Sequence, residues 1–306
     1  MPFALATFNV KNLLEPREPR DEAARTFLQE KLDAIAALVR ACDADVIGLQ
    51  EVGPIDLARA LVARLPGCRY GEPVLGTPDA RGIRCAVLTR LPVVYARVRT
   101  AEALPFPAFR RGDPAPFGAR IPLRRGVVQV RVDVPGASAV DILVVHFKSA
   151  HPVPLRDDMG ADLEPMNARD RAEGMLRSVV WRGAEALHAR GLVDELLAAD
   201  PDAQVALVGD LNDGPASPVV RALRSEGEGE LFDCAAGIET SERFSVFYRN
   251  VPGQIDHVLA TANLYARLVE ARFLNAELRD HGPFDPTGEE DPSVDSDHAP
   301  LVVRFG

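Results

Sequence analysis

The chain has no run of about eighteen apolar residues, which excludes an ordinary membrane-spanning helix. Its N-terminus begins at once on a strand-like segment, Phe3-Ala4-Leu5-Ala6-Thr7-Phe8, without the basic start and long apolar stretch of a signal peptide. The expectation is a cytoplasmic protein. Cysteine is scarce: Cys42, Cys68, Cys85 and Cys234 are scattered, with no C-x-x-C pair. That spacing argues against a disulfide frame or a zinc site and for four reduced, mostly buried thiols. Lysine is scarcer still, at Lys11, Lys31 and Lys148, so arginine carries most of the positive charge. With 45 acids against 35 bases the net charge is −10. A chain that coats nucleic acid non-specifically draws mainly on Lys and Arg, so this balance disfavours one. It leaves room for an enzyme with a local basic patch or a small phosphorylated substrate.

What remains is ordinary globular composition, 47% hydrophobic and 26% charged over 306 residues. No repeat of fixed period and no linker divides it, so residues 1–306 read as one domain. Amphipathic spacing predicts helices over 23–41, 54–65 and 169–199. In the first, Leu28, Leu32, Ile35 and Val39 share a face; in the last, Ala172, Leu176, Val179, Val180 and Leu187 are expected on the buried side. Short apolar runs bounded by Gly and Pro predict strands over 69–75, 83–89, 93–99, 127–134, 141–147, 231–234, 244–248, 255–260, 267–274 and 301–305. Ser217-Pro218 reads as a helix cap followed by proline at the first helical position.

Several strands end in polar groups. Val205-Ala206-Leu207-Val208 is too short for a helix and runs into Gly209-Asp210-Leu211-Asn212. Period-two alternation places Asp210 and Asn212 on one face of the strand's extension. Alone, that motif could be a plain turn. Asn9, Glu51, His146, Asp256 with His257, and Asp297 with His298 close other apolar runs in the same manner. Charged groups inside such runs are costly unless paired or metal-bound. Carboxylates and carboxamides without cysteine suit a hard cation such as Mg²⁺ or Mn²⁺.

Two connections stand out. Residues 103–125 interleave Phe106, Phe109 and Phe117 with Arg110, Arg111, Arg120, Arg124 and Arg125 against the single acid Asp113, a mixture that suits either nucleic-acid or phosphate contact or a solvated loop with its Phe side chains tucked into the body. Residues 280–297 are acidic, with Glu289, Glu290 and Asp291.

Six stretches, Thr7-Phe8-Asn9-Val10-Lys11-Asn12-Leu13, Leu49-Gln50-Glu51-Val52, Val145-His146-Phe147-Lys148-Ser149, Gly209-Asp210-Leu211-Asn212, Ile255-Asp256-His257-Val258 and Ser296-Asp297-His298-Ala299-Pro300, resemble the motifs of the endonuclease/exonuclease/phosphatase superfamily, in its order. The resemblance implies an α/β (α+β) fold, a four-layer α/β/β/α sandwich of two mostly antiparallel sheets packed face to face with helices outside. It implies a Mg²⁺-dependent site, with Glu51 holding the metal, Asn9 beside it and Asp297 completing the shell. Asp210 matches the carboxylate that aligns or deprotonates the attacking water, and Asn212 its phosphate-holding neighbour. His298 matches the histidine on the scissile phosphate, Asp256 the carboxylate orienting it, and His146 a position near the leaving oxygen. Arg84 and Lys148 are candidates for substrate contact. His151, His188, His257 and His281 are expected to be structural or solvent-exposed.

Abasic-site endonucleases carry an aspartate where this chain has Lys11, so the resemblance runs to the bacterial nuclease and general hydrolase branch. The leading expectation is a phosphodiesterase or nuclease. A small-molecule or lipid-headgroup phosphoesterase, and a non-catalytic binding protein on the same scaffold, are the alternatives. No exposed apolar hairpin for membrane docking stands out, and no protein partner is implied.

Overall fold

The computed structural model describes residues 2–16, 21–105, 121–157, 159–248, 250–279 and 293–306. Phe106, Phe109, Phe117, Arg110, Arg111, Arg120, Asp113, His281, Glu289, Glu290 and Asp291 lie outside these residues. In chain order the first half runs β1 (Phe3–Leu13), α1 (Glu22–Cys42), β2 (Val46–Val52), α2 (Ile55–Ala63), β3 (Val74–Leu75), β4 (Arg84–Thr89), β5 (Val93–Arg99) and β6 (Val127–Val132). The second runs β7 (Val140–His146), α3 (Ala168–Ala199), β8 (Gln204–Asp210), α4 (Pro218–Arg224), β9 (Leu231–Asp233), β10 (Val246–Tyr248) and β11 (Val251–Gly253). It closes with β12 (Asp256–Thr261), α5 (Ala262–Tyr265), β13 (Leu268–Phe273) and β14 (Leu301–Phe305).

Two six-stranded sheets form, in the orders β13-β14-β1-β2-β4-β3 and β5-β6-β7-β8-β12-β9, with β10 and β11 as a separate hairpin. Each large sheet holds one parallel pair, β1 with β2 and β7 with β8, and the rest is antiparallel. Both parallel pairs are joined through a helix, α1 or α3, because parallel strands need a long crossover.

Alternation assigns the layers. Leu5, Val46, Val87, Val130, Val144, Val208, Val258 and Val303 point between the sheets. Phe8, Val10, Leu49 and Ile47 point the other way, onto Ile35 and Val39 of α1 and Leu57 and Leu61 of α2. Leu143, Val145, Val205 and Leu207 meet Ala189 and Val193 of α3 and Val220 and Leu223 of α4. Strands covered on both faces read as unbroken apolar runs, which is why Val205 to Val208 showed no alternation. Gly48 lies at a close inter-sheet approach, where a Cβ would come within 2.9 Å of a Val144 methyl.

The helix ends follow local chemistry. Asp21 accepts from Ala23 N–H at 2.9 Å, Asn167 from Arg169 N–H at 2.9 Å, and Ser217 from Val220 N–H at 3.2 Å, with Pro218 at the first helical position. The four thiols are free, with Cys42, Cys85 and Cys234 buried.

The expected buried side of α3 is corrected. Leu176, Val179 and Leu187 are exposed, at 63%, 43% and 42%, and Ala172 is exposed too. The inward face is instead Gly174, Ser178, Arg182, Glu185, Ala189 and Val193. The N-terminal half of α3 covers a polar loop, with Ser178 Oγ donating to Ser149 O at 2.7 Å and Arg177 Nε to Val153 O at 2.9 Å. Only its C-terminal half lies on the apolar sheet, so hydrophobic periodicity misleads over the first part.

Candidate active site

The site is the polar continuation of the inter-sheet core. On β1 the inward row runs Phe3, Leu5, Thr7, Asn9; on β7 it runs Ile142, Val144, His146; on β8, Ala206, Val208, Asp210; on β12, Ala260, Val258, Asp256. Each row changes from aliphatic to polar at the same end of the sandwich. In the second sheet the register pairs Asp256 with Asp210 and Asp210 with His146, so the three form one row across adjacent strands. Asn9, His146, Asp210 and Asp256 are 1%, 6%, 2% and 0% exposed, and groups this buried need partners.

Those partners bind the two sheets together. Asn9 Nδ2 donates to Asp210 Oδ2 at 3.0 Å and reaches Glu51 Oε1 at 3.5 Å. His146 Nε2 lies 3.5 Å from Asp210 Oδ2 and 3.8 Å from Glu51 Oε1. His298, from the turn before β14, sets Nδ1 2.7 Å from Asp256 Oδ2 and Nε2 3.9 Å from Asp210 Oδ2.

Glu51 arrives by a route that alternation alone misses. Ile47 and Leu49 point towards α1 and α2, so strict alternation sends residue 51 there as well. Val52 takes that place instead, because the β2–β4 register shifts between Leu49 and Val52 and Glu51 has a φ of +63°. The matching irregularity in β1 places Lys11 and Asn12 at φ values of +49° and +48°. The two bulges brace each other, since Asn12 N–H donates to Glu51 Oε2 at 2.8 Å.

Asn212 also departs from expectation. Its φ is +51°, so the strand's alternation stops at the buried Leu211. Its N–H caps Asp210 Oδ1 at 2.8 Å, and its amide donates to Phe147 O at 3.2 Å. Gly209 permits the turn: its φ is +146°, and a Cβ there would run into the Val145 carbonyl. Asp297 is 40% exposed in its side chain and faces Lys11 Nζ at 3.6 Å. Lys148 is buried and gives its ammonium group to Ser149 O, Ser149 Oγ and His151 O at 2.9, 2.9 and 3.1 Å. Arg84 pairs with Val52 in the sheet register and donates to Gly82 O at 3.1 Å. His257 sits on the opposite face, with Nε2 2.9 Å from Asp213 O.

Arg125 belongs to this site, although the sequence offered it only as one of several loop arginines. It is 5% exposed; Nη1 lies 3.0 and 3.2 Å from the two ring nitrogens of His146, and Nη2 donates to Phe147 O at 2.9 Å. Asp79 is the nearby counter-charge, 3.9 Å from Nη1.

These neighbours drive the two histidines apart. Burial first, and then Arg125, hold His146 well below the ordinary imidazole pKa, so it is neutral. Burial would lower His298 too, but Asp256, aided by Asp210 and Asp297, raises it well above that value, so it is cationic. Burial and the neighbouring Asp256 push Asp210 up to about 7, against the opposing pull of His298, Asn212 N–H and the Asn9 amide. A carboxylate near 7, a cationic imidazole and a neutral one are separate acid–base tools within one pocket.

The donor chemistry of Glu51 and Asp210 fits a hard divalent cation. Both are oxygen donors, and their partners are amide and imidazole N–H groups, so their charge is available to a metal. Ligating atoms of Asp210, Asp256 and His298 also lie within 4.8 Å of one another. Within that triad Asp256 is taken up by the imidazole of His298, so Asp210 is the carboxylate left to face a cation and His298 Nε2 the group left to face a phosphate.

A buried cluster of carboxylates, an amide and two imidazoles at the joined ends of two sheets, with one histidine held cationic, is the candidate active site of a hydrolase. The sequence profile of the Endonuclease/Exonuclease/phosphatase family matches residues 6–298, and the chain belongs to that family, whose members hydrolyse phosphoester bonds. Truncated Caenorhabditis elegans TDP2 has the same fold at 18% identity and a TM-score of 0.58, covering 99% of this chain and 97% of that one. The human Nocturnin catalytic domain with bound sulfate gives 14% identity and a TM-score of 0.60, over 100% and 94%. D. rerio TDP2 complexed with a single-strand DNA product gives 13% and 0.59, over 100% and 99%. A search of curated proteins returns no match. Among the described residues, no helix is long and apolar enough to cross a membrane.

Proposed function

We propose that this protein is a Mg²⁺-dependent phosphodiesterase, with Mn²⁺ able to substitute, that acts on nucleic acid. The observation that carries this reading is the His146–Asp210–Asp256 row facing Asn9 and Glu51, with His298 locked onto Asp256 at 2.7 Å. The similarity to D. rerio TDP2 with a DNA product supports the substrate class.

Glu51 and Asp210, with Asn9 beside them, would hold the ion, and Asp297 stands further out beside Lys11. The ion supplies charge stabilisation to the phosphoryl oxygens when bound. Asp210 aligns the attacking water and accepts its proton. Cationic His298 donates to a phosphoryl oxygen, where negative charge builds, and Asp256 keeps its ring in one orientation. Neutral His146 lies on the other side of Asp210 and is assigned to the leaving oxygen, which would depart as its bond to phosphorus breaks and take its proton from solvent.

The test is hydrolysis of bis-p-nitrophenyl phosphate and of plasmid DNA with Mg²⁺, with Mn²⁺ and with EDTA. Turnover of both substrates, abolished by EDTA, is expected. Cleavage of the small diester with DNA untouched would move the protein to the small-molecule phosphoesterases. Folded protein that turns over neither with either metal would overturn the enzymatic reading. Glu51→Gln is expected to raise the Mg²⁺ concentration for half-maximal rate by roughly 10-fold, the size of losing a favourable interaction of about 1.4 kcal/mol. A Mg²⁺ titration that superimposes on wild type would remove Glu51 from the metal shell.

A further inference from the structure

β7 ends at His146, and the following peptide groups leave the sheet while still buried. A buried backbone N–H or C=O without a partner is costly, so something outside the sheet must satisfy them. Phe147 N–H returns to Asp210 O at 3.0 Å. The next peptide unit, made of Phe147 C=O and Lys148 N–H, is held at one end by a guanidinium and at the other by a buried carboxyl group.

At the oxygen end Arg125 Nη2 donates at 2.9 Å and Asn212 Nδ2 at 3.2 Å. At the nitrogen end Lys148 N–H donates to Glu185 Oε2 at 2.6 Å. Arg125 and Glu185 are 5% and 1% exposed, and they come from the segment before β6 and from α3. The same Arg125 group also meets the His146 ring through Nη1. Beyond the clamp, Arg182 Nη1 approaches Lys148 O at 3.4 Å and Ser149 O at 3.1 Å, so three consecutive carbonyls have cationic donors.

Hydrogen bonds to charged groups are stronger than neutral ones and directional. A guanidinium at the carbonyl and a carboxyl group at the N–H fix the peptide plane one residue after His146, and with it the ring. Glu185 touches none of the polar groups facing the Asn9–Asp210 contact. A buried carboxyl group there, with Oε1 lacking any hydrogen-bond partner among the described residues, serves the apolar interior poorly.

We infer that Arg125 and Glu185 are positioning residues that set His146 by clamping the Phe147–Lys148 peptide from both ends. This rests on the reading of His146 as a catalytic group. Glu185→Leu is expected to lower kcat on bis-p-nitrophenyl phosphate roughly 10- to 100-fold, as small displacements of a catalytic group do. Glu185→Gln, whose carbonyl oxygen can still accept from Lys148 N–H, should restore most of the rate. In a His146→Ala background, Glu185→Leu should change the residual rate by less than about 2-fold, because groups acting through one another are not additive. Equal losses in both backgrounds would show a general structural role and overturn the inference.

If Glu185→Leu does not fold, Arg125→Lys replaces it. Lysine cannot reach the ring and Phe147 O with two separate N–H arms, so the same loss and the same non-additivity are expected, and a wild-type kcat would overturn the clamp. The ¹⁵N ring signals of His146 should move in either variant; unchanged signals would overturn it equally. Should His146→Ala itself turn over at the wild-type rate, the catalytic reading of His146 falls, while the ring signals still decide the clamp.

Discussion

Asp210→Asn is expected to lower kcat on a phosphodiester by at least ~10²-fold at saturating Mg²⁺, the scale of a lost general base. The amide keeps the size of the side chain and can still accept from Asn212 N–H, so the turn survives, while the bond from Asn9 Nδ2 and the proton acceptor are lost. Stability should move the other way. Asp210 is 2% exposed and lies next to Asp256 in the register, and its pKa of about 7 shows that the folded protein resists its charge. A folded pKa above the unfolded value of about 3.9 means the native state binds the extra proton between those pH values. Metal-free wild type should therefore lose stability as pH rises from about 4 through 7, and metal-free Asp210→Asn should lose less. The rate follows the opposite sign, rising as Asp210 gives up its proton. A dication beside it favours the charged form, so higher Mg²⁺ should carry the acid limb of kcat/KM to lower pH. An Asp210→Asn enzyme within a few-fold of wild type, or an acid limb that ignores Mg²⁺, would remove Asp210 from its role.

His298→Ala is expected to cost at least ~10²-fold in kcat as well, equivalent to about 2.7 kcal/mol of transition-state stabilisation. Its imidazole is held cationic by Asp256, and Asp256 is fully buried, with Oδ1 lacking a hydrogen-bond partner among the described residues. Breaking a buried charge pair by removing one member typically costs about 3–5 kcal/mol of stability, because the other charge remains. A thermal melt must therefore accompany the rate. Asp256→Asn is the cleaner companion: it preserves a hydrogen bond to Nδ1 and removes the charge that keeps the ring protonated. The rate loss of His298→Ala should persist at temperatures where the variant is fully folded. If activity returns to wild type once the folded fraction is corrected for, His298 is a structural histidine and the chemistry belongs elsewhere.

Some of this was readable along the chain because it depends on neighbours in sequence. The apolar runs of 204–210, 140–146 and 256–261 are strands because two covered faces demand apolar residues at every position, and their polar ends were visible as interruptions. The helix cap at Ser217 is a local hydrogen bond within three residues, followed by Pro218. His146, Asp210, Asp256 and His298 could thus be named before any strand was paired, though not that one histidine would be neutral and the other cationic. That difference arises from burial of His146 together with Arg125, 21 residues away from it, and from Asp256, 42 residues away from His298.

Other features were invisible for the same reason. Glu51 faces the pocket only through a bulge whose register is set by pairing with two other strands. The inward side of α3 is polar because of the loop it covers, which no periodicity within the helix can reveal. Asp297, which the family resemblance offered for the metal shell, pairs with Lys11, and the ammonium of Lys148 is held by its own loop, partners that no reading along the chain could supply. By itself, then, the sequence determined the family, the strand ends and the residue types available for chemistry, since these follow from local patterning and chain order. Tertiary structure alone decided which of those residues meet, in which charge state and around which peptide, because burial and charge proximity depend on distances between segments far apart in the chain.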